Sequence, residues 1–242
     1  MISVVSKNGQ HRLFYGSDSI PFAVEFRSHQ RLSIHVYPDG RVEVIAPKGR
    51  KIEEIFQRVK KRAPWIAKQR AHFETFRPLP QKKRFVSGET HLYLGRQYRL
   101  KVRAEENESV KLKGQFLMVS VAEQTNIQRV ESLLDNWYRT HAEKIFQARL
   151  DWCLNNALSL QLGSPRYSIR RMTRRWGSCT KAGNILLNLE LVKTPLQCIE
   201  YVIMHELCHL LIHNHTPAYY RLLTRCMPDW SQRKARLDTI II

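Results

Sequence analysis

An α+β fold, with a β-rich N-terminal region and a helical C-terminal domain, is what the sequence of 242 residues predicts. Three patterns carry that expectation. Apolar and polar residues alternate through much of the chain up to Ala122, as strands with one buried face require. From Asn126 to Leu160 the apolar residues fall three and four apart, which is the period of a helix. A second helical stretch, "YVIMHELCHLLIHNH" from Tyr201 to His215, is apolar nearly all round yet carries four histidines and one glutamate.

Taken in order, "RLSIHVYPDGRVEVIAP" reads as a hairpin turning at Pro38-Asp39-Gly40. "KIEEIFQRVKKRAPWIAKQRAHFETF" has helical periodicity, kinked or divided at Pro64, and "RPLPQKKR" reads as a linker. Two more hairpins are expected, "THLYLGRQYRLKV" turning near Gly95 and "SVKLKGQFLMVSV" turning near Gly114. The segment from Asn126, with Val130, Leu133, Leu134, Trp137, Ile145 and Leu150, predicts one long amphipathic helix. "RYSIRRMTRRWGSC" and "NILLNLELV" predict two strands joined at Lys181-Ala182-Gly183. No internal repeat or low-complexity tract is visible. These readings place a domain boundary between residues 122 and 123.

Composition narrows the function classes. A hydrophobic content of 43% supports a folded core, and 40 Lys+Arg against 21 Asp+Glu give a formal charge of +19. Such a charge favours polyanionic partners. No window approaches the roughly eighteen apolar residues of a membrane span, and the start "MISVVSKNGQHRLFYG" does not read as a secretion signal. Cys153, Cys179, Cys198, Cys208 and Cys226 are odd in number and lack C-x-x-C pairing, so a reducing, cytoplasmic location is expected and a disulfide framework is not.

The chemistry concentrates in the histidine helix. Thr194-Pro195-Leu196-Gln197 reads as its start, with Thr as cap and Pro in the first turn. His205 and His209 are four apart, so their β-carbons lie about 5–6 Å from each other on one face and both rings can reach one ion. Glu206, beside the first, can touch a water on that ion without ligating it. This is the H-E-x-x-H pattern in which a carboxylate takes a proton from a water that zinc has acidified.

A third ligand must come from elsewhere. On a helix continued to His213, that residue lies about 12 Å along the axis from His205, too far to share the ion. Asn214 suits a left-handed helix end and Pro217 resists continuation, so His215 can fold back towards the metal. No glutamate follows Glu206, and Asp229 behind Pro228 is the weaker alternative. Three histidines leave a fourth position for water, as a catalytic zinc requires. The competing reading is a helix end whose histidines are capped or solvated, and Cys208 reads as core filling.

The run "RRWGSCTKAGNILLNLELVKTPLQCIEYVIMHELCHLLIHNHTPAYY", Arg174 to Tyr220, closely resembles the signature of the YgjP-like zinc metallopeptidases, with the SprT-like proteases as more distant relatives. W-G-S-C, G-x-I-x-L-N, the H-E-L-x-H helix and the N-H-T-P segment occur in the same order, and weaker likeness covers most of the chain. Tyr219-Tyr220 departs from the Phe-Trp often found there. The resemblance implies a zincin-like catalytic domain over residues 123–242, hydrolysing peptide bonds of a protein or peptide substrate. It also implies one zinc ion on His205, His209 and His215, and Glu206 as catalytic base.

Around this centre the strand containing Ile185, Leu187 and Asn188 reads either as an edge for an extended substrate peptide or as an interior strand. Trp176, Gly177 and Cys179 read as packing and turn residues. His213, Tyr219 and Tyr220 are candidate contacts to the transition state. The clusters "RVKKR", "QKKR", "RRMTRR" and "RKAR", with Trp65 and Trp176 nearby, form either a surface for DNA or RNA or a solvated basic face. The rival to a peptidase is thus a basic nucleic-acid-associated protein whose zinc is structural or vestigial.

Overall fold

The hairpin signals up to Ala122 are realised as two small sheets. A computed structural model describes residues 10–240 apart from 17, 29–30, 38, 75–82, 158–160, 164 and 174. The expected linker at 77–84 therefore lies mostly outside the described residues. The chain forms two compact units, Met1–Gln81 and Lys82–Ile240.

In the first unit, β1 (Gln10–Tyr15) and β2 (Asp18–Arg27) form one antiparallel hairpin, and β3 (Ser33–Val36) and β4 (Val42–Pro47) form another. Parallel pairing of β2 with β4, from Phe22↔Val42 to Arg27↔Pro47, joins them in the order β1-β2-β4-β3. The alternation buries Ile20, Phe22, Val42 and Val44 against Ile55, Val59 and Ile66 of α1 (Ile52–Glu74). Pro64 does not divide α1, contrary to one expectation. It stands on the exposed face, where water can satisfy the carbonyl that its missing N–H leaves free.

The second unit begins with the same plan. Strands β5 (Thr90–Tyr93), β6 (Arg96–Ala104), β7 (Ser109–Lys113) and β8 (Phe116–Val121) form a sheet in the order β5-β6-β8-β7, again with its inner strands parallel. The long helix α2 (Ile127–Asn156) follows, opened by Asn126, whose side chain accepts from Arg129 N. Two ββββα arrangements thus occur in series, although no repeat was expected from the sequence. What repeats is alternation and spacing; the residues themselves differ.

The sequence places a domain boundary at residues 122/123, and the two compact units divide at Gln81/Lys82. Leu100, Leu117, Val119 and Val121 share one core with Val130, Leu134 and Phe146 of α2 and with the helices beyond, so β5–β8 belongs with the C-terminal elements. Those elements are β9 (Tyr167–Arg170), β10 (Gly177–Cys179), β11 (Ile185–Asn188), a 3-10 segment Leu189–Lys193, α3 (Leu196–His209), α4 (Pro217–Cys226) and α5 (Trp230–Asp238). Strand β11 is central, antiparallel to β10 and parallel to β9. Among the described residues no helix is long and apolar enough to cross a membrane.

Two contacts set the position of α3. Glu200, nearly buried on α3, receives Arg149 of α2 at 3.0 Å and Arg233 of α5 at 2.5 Å, which balances its charge from two sides. The β5–β6 turn docks on the chain just before α3, with Leu94 N donating to Val192 O and Gly95 N to Lys193 O. Gly95 has φ +78, and a β-carbon there would lie 2.7 Å from Pro195 Cγ and 3.1 Å from its Cα. Gly114, at the tip of the neighbouring hairpin, has φ +57 and nothing within 4 Å. Gly114→Ala should therefore cost only the backbone penalty of about 1–2 kcal/mol. Gly95→Ala should cost roughly a further 1–3 kcal/mol through overpacking. Urea denaturation of the two variants checks the order, and equal midpoints would remove the role given to the Pro195 contact.

Candidate metal centre

Helix α3 is buried nearly all round, with Ile199, Val202, Ile203, Met204, Leu207 and Cys208 in the core. Its start lies one residue later than the sequence implies. Pro195 is the capping residue, while Thr194 ends the 3-10 segment and turns its hydroxyl back to Leu191 O at 2.8 Å. Its end lies earlier: the helix stops at His209, so His213 is not on it. Nor does Asn214 take a left-handed conformation; its carbonyl instead accepts from Thr216 N at 2.7 Å. Thr216 and Pro217 then open α4, with Tyr219 N donating to the Thr216 hydroxyl. The short stretch between α3 and α4 brings His215 back over the face that holds His205 and His209.

The three rings meet through Nε2. The separations are 3.2 Å for His205–His209, 3.1 Å for His209–His215 and 3.1 Å for His205–His215. Ligand bonds of about 2.0–2.1 Å in tetrahedral array put nitrogens roughly 3.3 Å apart, so the cluster has the dimensions of a metal site. His209 Nδ1 lies 3.0 Å from Ile212 O, which places its proton there and leaves the Nε2 lone pair facing the other two rings. Burial first, then the neighbouring His209 and His215, depress the pKa of His205 to about 3, and burial likewise lowers that of His209. Imidazoles whose Nε2 atoms converge have the donor chemistry of a divalent cation site. Among the described residues these three are the cluster that could hold a metal ion.

Tyr219 forms the floor of the cluster. Its ring is fully buried, stacks on His209 at 4.5 Å and 24°, and meets His205 and His215 edge-on. Its hydroxyl donates to His205 O at 3.1 Å. With no exposed surface, the ring supports the three histidines from below. Tyr220 is exposed and stacks between His215 and Trp230. His213 is exposed and outside the triad. Asp229 pairs with Arg233 at 2.8 Å. Cys208 fills core, its thiol pushed up to about 12 chiefly by burial.

Glu206 is 4% exposed, and desolvation raises its pKa to about 7, against the opposing pull of Arg175 and the Cys179 N–H. The glutamate lies directly against β10. A β-carbon on Gly177 would come 2.6 Å from Glu206 Oε1, 2.8 Å from Val202 Cγ1 and 3.0 Å from Glu206 Cγ. Gly177 and Cys179 were read from sequence as packing and turn residues, and their contact with Glu206 was missed. The available signal was a glycine in a short polar strand, which marks a close approach of another group.

Of the two positions the sequence leaves open for the candidate edge strand, it takes the interior one. Ile185, Leu187 and Asn188 lie in β11, whose two sides are both paired, so it has no free edge. Asn188 is fully buried, and its amide donates to Met172 O and Arg175 O while its oxygen accepts from Met172 N and Glu190 N. It holds the loop that leads into β10. The outer edge of the sheet on this side is β10 itself. Since Trp176 O accepts from Asn188 N and Thr180 N donates to Asn184 O, the alternate residues Gly177 and Cys179 turn their main chain away from β11.

No curated protein gives a significant match to the chain. A family model described as YgjP-like, metallopeptidase domain, matches residues 30–240 and so takes in β3, β4 and α1 of the first unit and the whole of the second, with the histidine cluster and Glu206. With that span matched, the chain belongs to the YgjP-like metallopeptidase domain family.

Proposed function

We propose that the protein is a zinc-dependent endopeptidase in which His205, His209 and His215 hold one ion and Glu206 is the general base. The convergence of three Nε2 atoms within 3.2 Å of one another, next in sequence to a desolvated carboxyl group, carries this reading. A structural zinc is filled by four protein ligands, and the cluster here has three. When bound, zinc would polarise the substrate carbonyl and lower the pKa of water near it to about 7. Glu206, its pKa raised by burial, can take the proton and later return it to the departing amine. Cys179 N–H holds the carboxylate in place.

An extended substrate fits beside β10, where the Gly177 N–H and C=O and the Cys179 C=O face outward, so that main-chain hydrogen bonds would fix the scissile bond near the base. Five cysteines, odd in number and without C-x-x-C pairs, favour a reducing, cytoplasmic location.

Metal content and hydrolysis of an unfolded protein, compared for wild type, Glu206→Gln and His215→Ala, test the assignment. Glu206→Gln should keep zinc and lose hydrolysis by roughly 10²–10⁴-fold. His215→Ala should lose the metal in dialysis against a chelator that the wild type survives. Full hydrolysis by Glu206→Gln would overturn the role given to this residue.

Gly177→Ala separates the position of the base from its presence. The added methyl group would displace Glu206, so kcat should fall roughly 10–100-fold at unchanged metal content. Ser178→Ala, which adds no bulk, should stay near wild type. Equal kcat values for Gly177→Ala and wild type would show that Gly177 does not position the base.

A further inference from the structure

The first unit carries a cleft that the peptidase reading does not use. It encloses about 340 Å³ between β3 and α1 and is lined by Leu32, Ile34, Arg58, Arg62 and Trp65. Arg58, Lys61, Arg62, Trp65 and Lys68 stand at i, i+3, i+4, i+7 and i+10, along one exposed stripe of α1. From Arg58 to Arg70 the helix has six Lys or Arg residues and no Asp or Glu. Among the described residues neither Arg58 nor Arg62 has an acidic partner, and Glu54, one turn before, is engaged by Arg50 at 2.9 Å. Trp65 leaves 39% of its surface in water.

The repeated architecture shows that this composition is not imposed by the fold. Aligned at their first residues, α1 and α2 superpose buried Ile55 on Val130, Val59 on Leu134 and Ala63 on Tyr138. Arg58 and Arg62 then correspond to Leu133 and Trp137. In the second unit that flank is closed: Trp137 is buried, with Tyr93 at 4.9 Å and His141 at 4.0 Å. In the first unit the same flank is open and cationic, and it exposes an indole. Two free guanidinium groups suit phosphates, whereas an exposed indole beside the aliphatic wall of Leu32 and Ile34 suits an unstacked base. An acidic peptide would use the charges but leave the indole without a partner, and duplex nucleic acid keeps its bases stacked.

We propose that this cleft is a binding site for single-stranded nucleic acid, with Arg58 and Arg62 on successive phosphates and Trp65 stacked on a base. Lys61 and Lys68 on the same stripe of α1 would extend the path. The site is independent of the metal centre and stands whether or not the peptidase assignment does.

Fluorescence anisotropy of a labelled twenty-nucleotide oligothymidine with the full chain, over a range of salt, is the test. Arg58→Ala/Arg62→Ala should weaken binding at least tenfold and reduce the slope of log affinity against log salt by about 1.4, since each phosphate contact on a single strand contributes about 0.7. Trp65→Ala should weaken binding about tenfold at unchanged salt slope, and Trp65→Phe should restore much of it. Lys111→Ala/Lys113→Ala, on exposed β7, should lose less than threefold and leave the peptidase test unaffected. These positions are exposed, so all variants should keep the wild-type circular dichroism. Equal losses in the β7 control, tighter binding of the matched duplex, or a poly-glutamate peptide bound as tightly with the same dependence on Arg58, Arg62 and Trp65 would each overturn the proposal.

Discussion

Three imidazole nitrogens held within 3.2 Å of one another are the constraint on which the second unit depends. Rings that close, each presenting a lone pair, repel unless a cation or a shared proton lies between them. The protein meets this by fixing the rings. At His205 and His209 burial removes the water that would stabilise an imidazolium. Ile212 O holds the proton of His209 on the far nitrogen, and Tyr219 fills the space beneath all three rings. None of these features works alone. The stop of α3 at His209 is what lets Ile212 curl back to receive the proton and His215 return to the face. Had the helix continued, both would lie further along its axis and on other sides.

Burying a carboxyl group beside such a cluster requires a second arrangement. Glu206 lies in a space that exists because residue 177 has no side chain, and one N–H from Cys179 offsets part of its desolvation. The loop before β10 is in turn held by Asn188, all of whose hydrogen-bonding capacity is spent on Met172, Arg175 and Glu190. W-G-S-C and G-x-I-x-L-N are therefore two parts of one device: the second motif supplies the central strand and the asparagine hub, and the first supplies the strand that touches the acid. Their separation in sequence hides a contact that the short sheet makes direct.

Much of this was legible before the structure, and what was not has a physical cause. The meeting of His205 and His209 follows from helical spacing alone. The return of His215 was foreseen, but through a left-handed Asn214 and a helix running to His213, neither of which occurs. Chain reversals are set by several residues acting together, and the sequence marks them weakly. The hairpins at Gly40, Gly95 and Gly114 were visible because turn chemistry and alternation are local. The parallel pairings β2 with β4 and β6 with β8 were not, because nothing local distinguishes an inner strand that will accept a distant partner from one that will not. The same limit explains β11. Its apolar run is equally compatible with a central or an outer strand, and only the pairing with β9 decides. Tyr219 lies beneath the rings, a position the sequence does not mark, since it conveys proximity along a helix without saying which face the neighbouring elements cover.

The two ββββα arrangements show how one scaffold can take different surfaces. Both bury the inner positions of their helix against a four-stranded sheet, and both leave the flanking stripe to be decided by what comes next. In the second unit the chain continues through β9–β11 and the histidine helix, which need an apolar flank on α2 to share a core; Leu133 and Trp137 provide it. In the first unit α1 carries no such continuation within its own core, so an apolar flank there would be an exposed hydrophobic patch. Arginines solve that problem, but solubility alone would be served by mixed charges with acidic neighbours, as at Arg50–Glu54. A stripe with only one sign of charge, interrupted by an exposed indole and opening on a cleft, goes beyond what solvation requires. It is this surplus, more than the net charge of the chain, that separates a recognition surface from a solvated basic face.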